Sequence, residues 1–244
     1  MANSQHLLLL KQGVTSWNKH WKKAITEATA DPSRIDLSSA DLRGLDLSGI
    51  DLSGANLRGA YLEGTNFASA ALSEVDLTQA CAMNANFSQA DLTGAYLYQA
   101  SFSLANFQQA DLRWGDLRQA DLMKSDLSRA NLRGAKLNEA NLRESHLQET
   151  NLSKANINEA DFQWANLNRA DLSNVQALGT NFMAASFTGT CVENWLIDNR
   201  TQFGSTSCRY VYVENGQSGR YPKTGNFPLG EFAKLLTNTR VAAI

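Results

Sequence analysis

The chain has 244 residues, with 22 Lys and Arg against 24 Asp and Glu, giving a formal net charge of −2 at pH 7. The length is sufficient for a large buried core, and a hydrophobic fraction of 43% argues against wholesale disorder. The charge balance argues against direct nucleic-acid binding through a generally basic surface. No apolar run reaches the about 18 residues that span a bilayer or resembles a secretory signal, so we expect neither membrane insertion nor export.

The first segment, residues 1–34, predicts an N-terminal helical cap. Residues 4–30 have the pattern of one or two helices, with Trp17 and Trp21 spaced to share one face. Pro32 then ends the helical pattern. A hydrophobic lid over the structure that follows is the interpretation that we favour.

The second segment, residues 35–189, has a period of five. Steps of five from Leu37 to Phe187 give 31 central positions, of which 29 are Leu, Phe or Ile. Two positions before these centres Ala occurs 20 times, and one position before them Asp occurs 12 times and Asn 10 times. A period of five would scatter the centres around an α-helix, and along a straight strand it would send them to alternate sides. Only a chain that turns a corner once per repeat points every centre inward.

Residues 35–189, with units such as ADLRW at residues 110–114, resemble the pentapeptide-repeat family. The resemblance implies an all-β solenoid, a right-handed quadrilateral β-helix in which four repeats form one coil, so that 31 repeats give about eight coils. The string from Leu9 to Val14 resembles the leader of cyanobacterial members of this family. Because Leu and Phe would fill the axis, the interior has no room for a ligand, and function is expected on the outside.

The third segment, residues 190–244, predicts a C-terminal extension of mixed structure. Residues 211–213 predict a strand, Asn215 and Gly216 a turn, and residues 231–236 a short helix. Residues 208–232 resemble a module that follows the repeats in some cyanobacterial proteins. A cap over the last coil is the interpretation that we favour, and a small interaction module is the alternative.

The three cysteines, Cys81, Cys191 and Cys208, are an odd number without CxxC spacing. They argue against a disulfide framework and for a reducing compartment, so we expect a cytoplasmic protein. Cys191 and Cys208 could approach each other within one coil, either as a buried pair of free thiols, which we favour, or as a redox couple.

The sequence contains no catalytic, cofactor-binding or metal-binding constellation. Its histidines, His6, His20 and His146, are far apart, and there is no glycine-rich phosphate loop, GxSxG or HExxH. The regularly spaced Asp residues suit tight turns, because their short side chains hydrogen-bond nearby backbone groups. We therefore predict that the protein is not an enzyme, has no cofactor and takes no small-molecule substrate.

One outer face of the predicted solenoid carries apolar residues. Residues four repeats apart should stack on one face in successive coils, and the face centred on Leu42, Leu62 and Ala82 carries the set that we name the Met–Trp wall: Met83, Leu104, Met123, Trp164 and Met183. Clustered apolar surface residues are typical of interaction sites, and Met suits adaptable ones. The wall is therefore a candidate protein-binding surface. The alternative is that these side chains pack on the caps or lean across the face.

Charged residues stack on the other faces. Arg129, Glu149 and Arg169 predict an ion-pair ladder, and exposed pairs of this kind contribute only about 0–1 kcal/mol each. Arg113 lies one coil before Arg133, with Trp114 beside them. Like charges at this spacing cost stability, so a charged partner could relieve them.

The predicted function is a non-catalytic protein–protein interaction scaffold that presents a rigid β-helix surface to another protein. The alternative is a DNA mimic, because some pentapeptide-repeat proteins present acidic rods to type II topoisomerases. Residues 35–189 contain 18 acidic and 11 basic residues, a formal net charge of −7, which has the required sign. The interspersed arginines, such as Arg43 and Arg118, weaken the mimicry. The sequence leaves the partner and the oligomeric state open.

Overall fold

The structure is a computed structural model that describes residues 2–26, 35–214, 218–228 and 230–232. Two helices, α1 (Ser4–Leu10) and α2 (Val14–Thr26), precede a long stack of coils. Three strands, β1 (Thr190–Cys191), β2 (Val211–Glu214) and β3 (Ser218–Tyr221), complete the stack at its C-terminal end.

Each coil of the stack consists of four repeats. Asp36 pairs in parallel with Asn56, and Asn56 in turn pairs with Asp76. Three further series of parallel bridges begin at Asp41, Asp46 and Asp51. We number the four faces of the stack by these first residues, so that face 1 begins at Asp36 and face 4 at Asp51. The centres of the repeats lie one residue after the bridges and point into a continuous apolar core.

Tight turns connect the faces, and the five-residue unit explains them. In the unit that begins at Asp111, the Arg113 N–H donates to the Asp111 carboxylate at 3.1 Å, and the Gly115 N–H donates to the Leu112 carbonyl at 3.1 Å. The residue two after the centre adopts a left-handed conformation, with φ of 62° at Trp114. The preference for Asp and Asn before the centre is therefore a preference for a side chain that closes the turn.

The core consists of stacked centres. Leu37, Leu117 and Phe87 are all 0% exposed. The Phe87 ring is stacked between Phe67 and Phe107, with ring centroids 5.1 and 5.0 Å away. The position two residues before each centre, most often Ala, is buried in nearly every repeat, Leu45 being an exposed exception, and where it holds a hydroxyl, as at Thr65, the side-chain oxygen donates to a backbone carbonyl. Most repeats therefore have a small residue or a hydrogen-bonded hydroxyl at this position.

The N-terminal helices supply partners for the first coil. In later coils the backbone N–H and carbonyl of a bridge residue form hydrogen bonds with the preceding coil. Asp36 and Asp51 lie in the first coil and have no preceding coil. The Asp36 N–H donates to His6 Nδ1 at 3.0 Å, and the Asp36 carbonyl accepts from the Asn3 N–H at 2.9 Å. The Asp51 N–H donates to Asn18 Oδ1 at 2.9 Å, and the Asp51 carbonyl accepts from Trp17 Nε1 at 2.8 Å.

Through these contacts a helical segment lies over the first coil. Trp17 and Trp21 are buried together there, as predicted, with ring centroids 5.8 Å apart. The predicted helix end at Pro32 lies outside the described residues. An exposed sheet edge invites pairing with another chain, and the helices prevent it by occupying backbone groups on faces 1 and 4.

The stack continues past residue 189, where the regular rhythm was predicted to end. Asn181 pairs with Gln202 and Ser186 with Ser207, so the paired positions are one residue further apart in the chain than in earlier coils. A ninth coil therefore begins at Leu196, and one extra residue is inserted within it, between Leu196 and Gln202. This insertion conceals the coil from a search for a strict period of five. The assignment of residues 190–244 to a C-terminal extension stays a prediction.

The inserted residue forms a loop around Asp198. Its carboxylate accepts from the N–H groups of Gly179 at 2.8 Å, Arg200 at 3.1 Å and Thr201 at 3.1 Å. Partial burial would by itself raise the pKa of Asp198, but these hydrogen bonds and the Arg200 side chain lower it to about 2. The loop is thus held by one ionised carboxylate.

Two strands and an aromatic cluster cover the C-terminal end. β1 pairs in parallel with β2, and β2 pairs antiparallel with β3, which confirms the predicted strand at residues 211–213. Phe232 is 2% exposed, and its ring centroid lies 5.3 Å from that of Phe187. Residues 231 and 232 are helical. The predicted turn at residues 215 and 216 and the rest of the predicted helix, residues 233–236, lie outside the described residues.

Candidate protein-interaction surface

The Met–Trp wall lies along face 2, and most of it is exposed. The exposed fractions are 44% for Met83, 49% for Leu104, 65% for Trp164 and 40% for Met183, whereas Met123 is half-buried. Four of the five side chains therefore present large apolar groups to the outside rather than to the core.

The wall is divided into two apolar patches. The first, patch A, consists of Met83, Leu104 and Met123 in three successive coils, with the Leu104 N–H donating to the Met123 carbonyl at 2.9 Å. The second, patch B, consists of Trp164 and Met183, whose backbones are joined in the same way at 3.0 Å. The two patches are separated by about two coils, or roughly 10 Å at the usual strand spacing.

Ion pairs fill the space between the patches. Lys124 Nζ lies 3.5 Å from Glu144 Oε2, and Arg143 Nη1 lies 3.2 Å from Asp161 Oδ2. All four side chains are at least 32% exposed, so each pair contributes only about 0–1 kcal/mol. An apolar partner on patches A and B would have to accommodate this polar band.

The turn geometry aims the wall side chains outward. Leu104 and Trp164 lie two residues after their centres and have φ of 63° and 62°, a left-handed conformation that is uncommon for residues other than glycine. Glu occupies this same position of the turn, with similar φ, at residues 139 and 144. The position therefore tolerates many side chains, and the fold does not require Leu or Trp there.

Several acidic residues of the solenoid are paired with nearby arginines. Arg43, Arg113 and Arg118 each pair with the Asp two residues earlier, at 2.6 to 2.7 Å. The hydrogen bond from the Arg43 side chain lowers the pKa of Asp41 to about 2. The predicted ladder is also confirmed: Glu149 lies 3.0 Å from Arg129 and 3.5 Å from Arg169.

A groove at the C-terminal end of face 3 was not predicted from the sequence. Its volume is about 850 Å³, and Arg169, Arg209, Tyr210 and Phe227 are among its lining residues. Tyr210 lies above Gly189, where the absence of a side chain leaves room for the ring. The one-residue insertion concealed this alignment, because it moves Tyr210 one position beyond the place that a strict period would give it.

All three cysteines are free thiols. Cys191 Sγ lies 3.6 Å from the Glu214 carbonyl and Cys208 Sγ lies 3.6 Å from the Phe187 carbonyl, on different faces. Burial raises the pKa of Cys191, and it raises the pKa of Cys208 to about 12. Both thiols therefore stay protonated at neutral pH, which supports free thiols over the redox couple; Cys191 is buried, whereas Cys208 is half-buried.

Two further properties bear on function. Among the described residues, no group of three or more His, Cys, Asp or Glu side chains is placed to hold a metal ion. Within the same part of the chain, no helix combines the length and the apolar character needed to cross a membrane.

Comparison with known proteins finds one matching family profile and several similar solved structures. The sequence profile described as Pentapeptide repeats matches in eight copies, at residues 30–54, 50–89, 85–123, 125–163 and 160–194. No curated protein sequence matches the chain.

The similar solved structures include these three. HetL, a pentapeptide repeat protein involved in heterocyst differentiation regulation from the cyanobacterium Nostoc sp. strain PCC 7120, is 24% identical over 81% of this chain and 97% of its own, with a TM-score of 0.36. QnrB1, a plasmid-mediated fluoroquinolone resistance protein, is 21% identical over 77% of this chain and 87% of its own, with a TM-score of 0.46. A pentapeptide repeat protein from the Arabidopsis thaliana thylakoid lumen is 33% identical over 37% of this chain and 63% of its own, with a TM-score of 0.36.

The profile matches extend over residues 30–194, well over half of the chain, and they coincide with the ladder of stacked coils. By sequence profile and by coil geometry, the chain belongs to the pentapeptide-repeat family.

Proposed function

We propose that the protein is a non-catalytic scaffold that binds another protein through the Met–Trp wall. The observation that carries this proposal is the exposure of Met83, Leu104, Trp164 and Met183 on one face of a rigid stack. The turn does not require large apolar residues at these positions, and no contact among the described residues compensates for the solubility that their exposure costs. A partner that covers patches A and B would supply that compensation.

The proposal is tested by capture of the partner with matched variants. Leu104→Glu with Met123→Glu disrupts patch A, and Trp164→Glu with Met183→Glu disrupts patch B. Gln89→Glu, an exposed change in the same turn position on face 3, is the control. We expect a specific protein from the source cells to be retained by the wild type and the control in moderate salt. A partner that both wall variants retain would refute the proposal.

The DNA mimic is the second candidate function, and the net charge of −7 over residues 35–189 favours it. The pairing of Asp41, Asp111 and Asp116 with arginines argues against it, because a mimic needs unpaired acidic groups in a regular array. Electrostatic binding weakens steeply with salt, whereas apolar binding does not. A topoisomerase that is captured by wild type and wall variants alike, and is released by salt, would favour the mimic.

We also infer that the stack is a right-handed quadrilateral β-helix capped at both ends. Four bridge series per coil and membership of the pentapeptide-repeat family support this geometry. We propose the division into an N-terminal cap (1–34), a repeat solenoid (35–189) and a C-terminal extension (190–244). The three free thiols support a reducing compartment, and we propose the cytoplasm.

A further inference from the structure

Face 4 carries an exposed tryptophan on a support that fixes its orientation. Trp114 is 56% exposed, and its ring lies directly over Gly134 in the next coil, where any Cβ would collide with it. Gly134 has φ of 69°, so both the backbone and the ring favour glycine at this position. The outer side of the indole is therefore held in place and open to a partner.

Two charged residues flank this tryptophan symmetrically on the same face. Glu74 lies two coils before Trp114, and Lys154 lies two coils after it. All three occupy the turn position two residues after a centre, with φ between 57° and 62°. At a coil spacing of about 4.8 Å, the charges lie roughly 10 Å before and 10 Å after the indole along the stack. The Glu74 side chain leans over Gly94, as Trp114 leans over Gly134.

These two charges differ from the others in the same turn position. Nine charged residues occupy it in residues 35–189, and seven have a side-chain partner: Lys124 with Glu144, Arg129 and Arg169 with Glu149, Glu139 with Gln119, and Glu159 with Arg200. Glu74 and Lys154 have no ion-pair or side-chain hydrogen-bond partner among the described residues. They lie four coils apart, too far to pair with each other within one chain.

We propose that a second copy of the chain covers face 4 in an antiparallel, two-fold symmetric dimer centred on Trp114. A two-fold axis that crosses the stack at the indole reverses the order of coils but keeps each turn position opposite its equivalent. Trp114 then meets Trp114 of the second copy, and Glu74 meets Lys154 at both ends of the contact. No other partner is required to pair these two charges.

The neighbouring residues permit close approach but limit the strength of the contact. Ser73 and Ser153 lie beside Glu74 and Lys154, and Gly94 and Gly134 lie on either side of Trp114, so small residues flank the three side chains. A face about 30 Å tall and one strand wide buries roughly 300 Å² per copy, below the ~800 Å² of stable complexes. Arg113, whose charge is paired with Asp111, and Arg133 are exposed near the axis and add repulsion between copies. The dimer should therefore dissociate on dilution.

The test is a pair of charge reversals: by symmetry, either one alone should weaken the dimer, and both together should restore it. Glu74→Lys gives a chain with Lys at both sites, and Lys154→Glu gives a chain with Glu at both sites, so each single variant repels itself at both ends. We expect each to weaken self-association about tenfold or more in sedimentation velocity up to millimolar concentration. The double variant, Glu74→Lys with Lys154→Glu, should restore it, and a mixture of the two single variants should form a heterodimer.

Glu139→Lys is the matched control, because it makes the same charge change in the same turn position on face 1. It should leave self-association unchanged. A wild-type chain that stays monomeric at every concentration would overturn the proposal. Single variants that associate as strongly as the wild type, or a double variant that does not recover, would also overturn it. Circular dichroism of every variant separates these outcomes from loss of folding.

Discussion

The aromatic column around Phe87 allows the packing of the core to be tested quantitatively. Phe87 is 0% exposed and is stacked between two phenylalanines at 5.0 and 5.1 Å. Phe→Ala substitutions in cores cost about 3–5 kcal/mol, and a close-packed column cannot collapse to fill the cavity, so we expect about 4–5 kcal/mol for Phe87→Ala. Phe87→Leu should cost about 2–3 kcal/mol, from three lost aromatic pairs, including the edge-on pair with Phe102, and a small cavity.

The assay is equilibrium unfolding in urea, monitored by circular dichroism. The unfolding curves are fitted to a scheme that includes partly unfolded solenoids, because coils of a repeat protein interact mainly with their neighbours. Gln89→Ala, an exposed change in the following turn, is the control and should stay within about 0.5 kcal/mol of the wild type. Equal losses for Phe87→Ala and Phe87→Leu would refute the argument, since they would mean that the column closes around a missing ring.

Three further predictions follow from single positions. Gly134→Ala should lose about 1–3 kcal/mol in urea unfolding, more than Gly64→Ala, because both have positive φ but only Gly134 has a ring above it. The pKa of Asp198 is lowered to about 2, below its ordinary value, so its ionised form stabilises the fold above about pH 4, and this contribution is lost as the pH falls towards 2. In acid titrations monitored by circular dichroism, Asp198→Asn should flatten that loss, and an unchanged profile would contradict the assignment. With a thiol reagent at pH 8, the buried Cys191 should react only on unfolding and the half-buried Cys81 first, so simultaneous labelling would contradict the burial argument.

The face assignments could be predicted from the period of five together with the resemblance to the pentapeptide-repeat family, because that resemblance implies four repeats per coil. The positions of Met83 and Trp164 on one face, and the ladder at Glu149, required only that residues four repeats apart be neighbours. The division of the wall by the pair of Lys124 with Glu144 could not be predicted, since ion pairing depends on which side chains reach each other.

The ninth coil shows the limit of this reasoning. Gln202 and Ser207 resume the ladder after one inserted residue, and the insertion is tolerated because Asp198 closes the longer loop. A search for a strict period of five ends at such an insertion. The backbone hydrogen bonds between coils continue past it, because each coil needs only a neighbouring coil at the right distance. The groove beside Tyr210 exists for the same reason.

The sequence by itself determined the repeat unit and the buried centres, because with a period of five only a chain that turns once per repeat points every centre inward. The face on which each outer residue lies also required the four repeats per coil that the family resemblance implied. Only the tertiary structure decided how the ends are closed and which charges have partners. The hydrogen bond from Trp17 to the Asp51 carbonyl and the unpaired state of Glu74 among the described residues depend on distances between residues far apart in the chain. Such distances follow from packing, which local patterns do not encode.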